Sequence, residues 1–573
     1  MVPAERGTKL PGETTALPLT EVIQAFTECR FILSLKLIRV NRLVWVSHLI
    51  NYGDALEVGC RHMKANMIDT YNVAHDLISR NLPVRAGKVA FIDDNGRYTF
   101  SELAQRVERF AGFLYANGLR QESRILLCLE DNIDFVTACL GAIKAGVIPV
   151  MINPLLTSSD FAYLLEDSRA VMLVTSAGAW PALEPVVSNF GNLHRIVFSG
   201  CDAPTGTIPF ANSLTNEPMI DPAPTRADEA CLWQYSSGST GRPKGTIHVH
   251  GSVSGLLELF PRQILDLSEN DVTFSAAKLF FGYGFGNGLV FPMGVGATSV
   301  LMSGRPTPDA VFDRLRKHQP TVFFGVPTLY QSMMRLTNLP KKDELSLRLC
   351  ISAGESLPSE IGNRWLEMFG IEIIDGIGST EMLHIFLSNK PGDVKFGTTG
   401  RPLDGIELRL LDDDGNEVEQ GAVGELYIKG ATSAAGYWAQ RAKSRETFLG
   451  AWTRSGDKFR QDEEGRYVYC GRSDDMLKVS GIYVSPFEVE NALMEHEAVL
   501  EAAVVGWQDD AGLIKPKAFV VLCDGVEEGA MAEALKAHVK SALAPYKYPR
   551  WFEFVEALPK TATGKIERYK LRP

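Results

Sequence analysis

Between residues 235 and 245 the chain reads Tyr-Ser-Ser-Gly-Ser-Thr-Gly-Arg-Pro-Lys-Gly, a run of hydroxyls, glycines and two cations suited to holding phosphate oxygens. Backbone N–H groups and the hydroxyls of Ser236, Ser237, Ser239 and Thr240 can turn toward one point. Gly238 and Gly241 keep that backbone open, and Arg242 and Lys244 add positive charge. The flanks, Ala-Cys-Leu-Trp-Gln-Tyr (230–235) and Thr-Ile-His-Val-His (246–250), read as short buried strands. A Walker A loop would need a hydroxyl residue after the lysine, and Gly245 stands there instead. The bland alternative is a flexible turn, but plain linkers rarely set Thr-Gly and Pro-Lys-Gly between two apolar runs. The stretch implies a nucleotide and leaves the reaction open.

Five more stretches carry chemistry in order behind it. Ser352-Ala-Gly-Glu355 follows the apolar Leu349-Cys-Ile, and Ile373-Ile-Asp-Gly-Ile-Gly-Ser-Thr-Glu381 comes about twenty residues later, both reading as strand-end loops. Asp457 closes Trp452-Thr-Arg-Ser-Gly-Asp and precedes Gly471-Arg-Ser-Asp-Asp-Met-Leu-Lys-Val-Ser-Gly481. Pro559-Lys-Thr-Ala-Thr-Gly-Lys565 lies near the end.

The elements that must position these residues alternate strand and helix from 88 to about 225. Asp94-Asn-Gly reads as a hairpin turn, and Thr99-Phe-Ser-Glu-Leu caps a helix with apolar Leu103, Val107, Phe110 and Leu114. Arg124-Ile-Leu-Leu-Cys-Leu, Val147-Ile-Pro-Val-Met, Val171-Met-Leu-Val and Arg195-Ile-Val-Phe-Ser read as strands, with a helix from Asp131 to Ala145. The expected class is α/β, a mostly parallel sheet covered on both faces, with ligands beyond the carboxyl ends of its strands. A chain of 573 residues is too long for one core. Its net charge of −11 argues against a nucleic-acid surface. Nine scattered cysteines without a C-x-x-C pair suggest free thiols in a reducing compartment, and no apolar run spans a membrane, so cytoplasm is the default.

Residues 1–66 differ from the rest, with eight Lys/Arg against six Asp/Glu in an acidic protein. Residues 1–20 read as disordered. The apolar runs around Phe31 and Leu43, broken by Lys36, Arg39 and Arg42, suit an amphipathic membrane-surface helix or a targeting peptide. A true start at Met63 or Met67 is the blander reading, and a dispensable or spurious extension is expected. From Met67 the text settles toward a first helix near Tyr71.

Taken in order, the motifs make residues 67–573 resemble the adenylate-forming superfamily of acyl-CoA synthetases, luciferases and peptide-synthetase adenylation domains. The resemblance implies a large N-terminal AMP-binding domain of layered α/β subdomains (67–473) and a small mobile α+β C-terminal lid (474–573), hinged at Asp474. It implies ATP, Mg²⁺ and coenzyme A. Lys565 would bridge carboxylate and α-phosphate, Thr380 would touch the α-phosphate, and Glu381 would hold Mg²⁺. Asp457 and Arg472 would bind the ribose, Ala353, Gly354 and Glu355 with Asp375, Gly376, Ile377 and Gly378 would wall the adenine, and Lys478 and Gly481 would come to the site for the second step.

Two stretches, Ala277-Lys-Leu-Phe-Phe-Gly-Tyr-Gly-Phe-Gly-Asn287 and Met382-Leu-His-Ile-Phe386, resemble the benzoate-CoA ligase branch, which includes hydroxybenzoate and aminobenzoate ligases. Phe281, Tyr283 and Phe285 are expected to line a flat apolar slot, with Gly282, Gly284 and Gly286 removing bulk so that a ring can enter. His384 is expected one turn along a helix after Glu381, near the ring or serving as a hydrogen-bonded structural histidine. Gly282 is expected to leave room for a ring substituent. The expected substrate is benzoate or a hydroxybenzoate. The alternatives are a medium-chain or aryl-propenoic acid, or loading of a carrier protein, although no carrier module follows Pro573. A homodimer is compatible with the family, and no residue pattern decides it.

Overall fold

The strands of residues 89–402 make two large sheets, and each delivers one half of the nucleotide motifs. The computed structural model describes residues 69–191, 193–236, 242–473, 475–479, 482–509, 513–544, 547–560 and 566–572, without the side chains of 478, 482 and 483. The extension 1–66 and the start near Met63 or Met67, residues 237–241, Asp474, Gly481, Lys565 and the Lys478 side chain therefore lie outside the described residues. Residues 70–573 form one compact unit, and the boundary expected at 473/474 falls inside it.

The first sheet has eight strands in the spatial order Gly436–Tyr437, Lys244–Val249, Ala230–Ser236, Ile148–Met151, Arg124–Cys128, Met172–Ser176, Arg195–Ser199 and Ile208–Pro209. It is parallel except where Lys244–Val249 pairs with its neighbours. Its central strands are buried along nearly their whole length because helices cover both faces, which is why they read as continuous apolar runs. The helix Phe100–Ala116 starts at a Thr99–Glu102 capping box and buries Leu103, Val107, Phe110 and Leu114, as its spacing predicts. The helix Ile133–Lys144 starts where the Asn132 side chain accepts the N–H groups of Asp134 and Phe135.

The second sheet has nine strands, Arg401–Pro402, Ile385–Ser388, Ile373–Gly378, Leu349–Ser352, Val322–Gly325, Val272–Ser275, Thr298–Val300, Val89–Ile92 and Arg97–Thr99. It is parallel in the middle and antiparallel at both edges. One edge corrects the sequence reading, because no helix follows Glu381. The strand Ile373–Gly378 ends in a turn with Leu383 in the left-handed region (φ 65°), and Ile385–Ser388 returns antiparallel to it. The run Met382–Phe386 is apolar and short, a pattern that suits a buried helix or a buried strand equally. Residues 375–378 likewise lie in the strand itself.

An antiparallel sheet of Glu407–Leu411, Gly424–Lys429, Trp452–Gln461, Phe448–Leu449 and Tyr467–Arg472 follows. The last part of the chain holds a three-stranded sheet, Val499–Gln508, Ile514–Leu522 and Trp551–Phe554, with helices Pro486–Met494 and Met531–Ala542. Among the described residues, seven cysteines are unbridged. No helix among them is long and apolar enough to cross a membrane.

The C-terminal sheet depends on one enclosed ion pair. Glu490, 3% exposed, accepts two bonds from the Arg568 guanidinium (3.0 and 2.6 Å) and the Val504 N–H (2.7 Å). Arg568→Ala strands that carboxylate and is expected to cost about 3 kcal/mol. The urea midpoint of the C-terminal sheet should drop; an unchanged midpoint would mean water already reaches the pair.

Candidate active site

The phosphate motif closes as a β-hairpin. Ala230–Ser236 pairs antiparallel with Lys244–Val249, and the last register pair is Ser236 with Lys244. The Ser236 hydroxyl, at the last register pair, is buried without a partner among the described residues. Arg242 lies over the Tyr163 ring at 5.3 Å, and the Tyr163 hydroxyl donates to the Pro243 carbonyl at 3.0 Å. Lys244 points elsewhere. Its Nζ is 3.0 Å from Glu381 Oε1 and donates to the Tyr437 hydroxyl at 2.7 Å, and that hydroxyl donates to the same Glu381 oxygen at 2.7 Å.

This triad brings the two sheets together, since Lys244 and Tyr437 belong to the eight-stranded sheet and Glu381 follows a strand of the other. Burial pushes the Glu381 carboxyl up, but the Lys244 charge and the bonds from Tyr437 and Lys244 outweigh it, leaving it below the usual carboxylate range. It stays ionised. The turn carrying it is held from several sides: Ala434 N–H donates to the Glu381 carbonyl (2.8 Å), and the Thr380 carbonyl accepts both Leu383 N–H (3.2 Å) and His248 Nε2 (2.7 Å). Burial lowers the His248 pKa to about 4, so its ring is neutral.

The two stretches expected around adenine meet on adjacent parallel strands. Ser352 and Asp375 are register partners on adjacent parallel strands, so the Ala353–Gly354–Glu355 loop leaves the sheet beside Asp375. Gly354 has φ 91°, a conformation that favours glycine. Asp375 is 4% exposed, and burial raises its carboxyl pKa well above the ordinary value. The ribose candidates face each other across an antiparallel pair, with Arg472 Nη1 3.1 Å from Asp457 Oδ1. The Arg472 charge also opposes the rise that burial and Glu381 impose on the Tyr437 phenol pKa.

The acid-pocket stretch is where the structure corrects the sequence most. Gly282–Phe285 is one helical turn, continued by a wider π-turn at Gly286–Val290. The glycines do not clear a slot. A Cβ on Gly282 would meet the Leu383 carbonyl oxygen at 2.3 Å, one on Gly284 the Lys278 carbonyl oxygen at 2.1 Å, and one on Gly286 His384 Cδ2 at 2.4 Å. Their missing side chains let the chain pack on itself, so Gly282 leaves no spare room for a substituent. Phe281 is 37% exposed and lies against Phe280, whereas Phe285 is 1% exposed. The Tyr283 hydroxyl donates to the carbonyls of Gly325 (3.3 Å) and Ile351 (3.4 Å). His384 is 2% exposed among the rings of Phe260, Tyr283 and Phe291, with Nε2 3.1 Å from Asn287 Oδ1. Burial lowers its pKa to about 3, so its ring is neutral.

Sequence reasoning missed Tyr437, His248 and Asp131. Asp131 sits 3% exposed with both carboxylate oxygens on the Leu279 N–H (3.1 and 3.3 Å), at the root of the pocket stretch. Tyr437 carries no spacing signal. His248 does carry one: Thr246 and His248 are buried polar residues at alternate positions of one strand, on its inward face.

Comparison with known proteins agrees with this geometry. Residues 78–438 match the AMP-binding enzyme family, and residues 488–565 match the AMP-binding enzyme C-terminal domain. The chain is 57% identical to benzoate–CoA ligase of Thauera aromatica, over 88% of its length and 96% of the relative's. It is 50% identical to 4-hydroxybenzoate–CoA/benzoate–CoA ligase of Rhodopseudomonas palustris, over 88% and 94%. The crystal structure of a benzoate CoA ligase from Burkholderia xenovorans LB400 superimposes with a TM-score of 0.83 at 50% identity, over 88% of this chain and all of that one. On these grounds the chain belongs to the AMP-binding, adenylate-forming enzyme family.

Proposed function

We propose that the protein is an AMP-forming aryl-CoA ligase that converts benzoate or a hydroxybenzoate to its coenzyme A thioester. The observation that carries this reading is the meeting of Lys244, Tyr437 and Glu381 beside the phosphate hairpin, in a chain 57% identical to a benzoate–CoA ligase. In the first half-reaction a carboxylate oxygen attacks the α-phosphorus of ATP, pyrophosphate leaves, and an acyl-adenylate forms. In the second, the thiol of coenzyme A attacks the acyl carbon, AMP leaves with its electron pair, and the thiol proton passes to solvent.

Charge must be gathered for the first step, because two anions approach and more negative charge develops at phosphorus. We assign Lys565 to bridge carboxylate and α-phosphate, and Thr380 to the α-phosphate. Lys244 trades its carboxylate partner for phosphate oxygens. Asp457 and Arg472 are assigned to the ribose, and 353–355 with 375–378 to adenine. Glu381 suits Mg²⁺: it is a hard oxygen donor kept ionised. No group of three or more His, Cys, Asp or Glu gathers among the described residues, so the ion's other ligands would be phosphate oxygens and water. The ion would neutralise phosphate charge. For the second step we assign Asp474 as the hinge of a C-terminal lid (474–573) that withdraws Lys565 and brings Lys478 and Gly481 forward. A cytoplasmic setting suits the unbridged cysteines.

The test of substrate class is AMP release with ATP, Mg²⁺ and coenzyme A across benzoate, hydroxybenzoates, aminobenzoates, a cinnamic acid and hexanoate. Benzoate or a hydroxybenzoate is expected to lead; preference for hexanoate or the cinnamic acid would discard the aromatic pocket and keep the mechanism. Lys565→Ala should lose adenylate formation by roughly 100-fold or more yet still thioesterify a supplied acyl-adenylate. Equal loss of both half-reactions would refute its assignment. Gly282→Ala drives a Cβ into the Leu383 backbone, costing about 1–3 kcal/mol. Turnover of benzoate and 4-hydroxybenzoate should fall together, and a change in their ratio of kcat/KM would restore Gly282 as a specificity residue.

A further inference from the structure

The two halves of the nucleotide site ride on different sheets, and something must hold them in register while substrate binds. The Lys244–Glu381 and Tyr437–Glu381 links close that seam, but the proposed reaction, on which this inference rests, gives Lys244 and Glu381 to phosphate and metal. One side-chain link is spent on neither. His248 is fully buried in the strand Lys244–Val249, four residues beyond Lys244, and its Nε2 lies 2.7 Å from the Thr380 carbonyl. A carbonyl can only accept, so Nε2 carries the proton and donates. The same carbonyl also closes the turn through Leu383 N–H (3.2 Å), fixing the peptide between Thr380 and Glu381 from both sides.

We propose that His248 is a positioning residue for adenylate formation, holding the Thr380–Glu381 turn against the phosphate hairpin through its Nε2–H. His250, buried two residues further on at the start of the helix His250–Gly255, offers an internal comparison: its Nδ1 accepts the Val73 N–H at 3.2 Å, far in sequence from the nucleotide motifs. A histidine that only fills the core should behave like His250. A positioning one should act on a single half-reaction.

The experiment compares His248→Leu, His248→Gln and His250→Leu with wild type, using melting temperature, MgATP affinity by calorimetry without acid, ATP–pyrophosphate exchange, and thioesterification of supplied benzoyl-adenylate. Loss of an outer partner of a ligating residue typically costs about 10- to 100-fold, so His248→Leu should lose that much exchange kcat/KM for ATP and bind MgATP more weakly. Its thioesterification should stay within about threefold of wild type, a shift below 1 kcal/mol. His248→Gln, which keeps an N–H donor, should recover most of the loss, and His250→Leu should lower the melting temperature without separating the half-reactions. Equal deficits in the Leu and Gln variants, parallel loss of both half-reactions, or unchanged MgATP affinity in His248→Leu would each overturn the proposal. If wild type took none of the aromatic acids, the substrate reading would fail, and the calorimetric comparison would still decide the role of His248.

Discussion

The site turns on a buried carboxylate that must stay charged. In the role proposed for it, Glu381 has to be ionised to serve a phosphate-bound metal, yet its burial favours the neutral acid. Lys244 and Tyr437 resolve that conflict, one by charge and one by donating a hydrogen bond. Both come from the opposite sheet, so the electrostatic requirement of one side chain also fixes how the two sheets meet. Tyr437 itself is kept a donor, because burial and the adjacent carboxylate raise its phenol pKa.

Close packing of backbone, more than empty space, shapes the neighbouring acid-pocket stretch. Three glycines in alternate positions bring their chain against the Leu383 carbonyl, the Lys278 carbonyl and the His384 ring. Asp131 holds the start of this stretch by its Leu279 N–H, while Lys278 donates to the Met302 and Gly304 carbonyls. Burial lifts the Asp131 pKa to about 6, with Lys278 opposing the shift. The aromatic residues divide by task. Tyr283 is tied to the neighbouring strands that end at Gly325 and Ser352, Phe285 packs into the core, and Phe281 reaches the surface.

Helix and strand assignments were largely legible because they rest on short-range pattern. Thr99 and Glu102 cap a helix three residues apart, and Leu126-Leu-Cys128 reads as buried on both faces. The misreading after Glu381 has a physical cause. A run of five residues, four of them apolar, does not distinguish 3.6 from 2 residues per period, and the deciding feature, a left-handed Leu383 under a returning strand, is imposed by pairing with Gly376–Gly378.

What the sequence determined by itself was the kind of chemistry. Phosphate, ribose and carboxyl activation demand particular residue types in particular local frames, and the loop at 235–245, Thr380–Glu381, Asp457 and Lys565 stand in order along the chain. What only the tertiary structure decided was partnership. Lys244 meets Tyr437 across 193 residues and His248 meets Thr380 across 132, and the glycines proved to serve contact where clearance was expected. Periodicity states which face of a strand turns inward; the atoms that stand opposite are set by how the sheets pack.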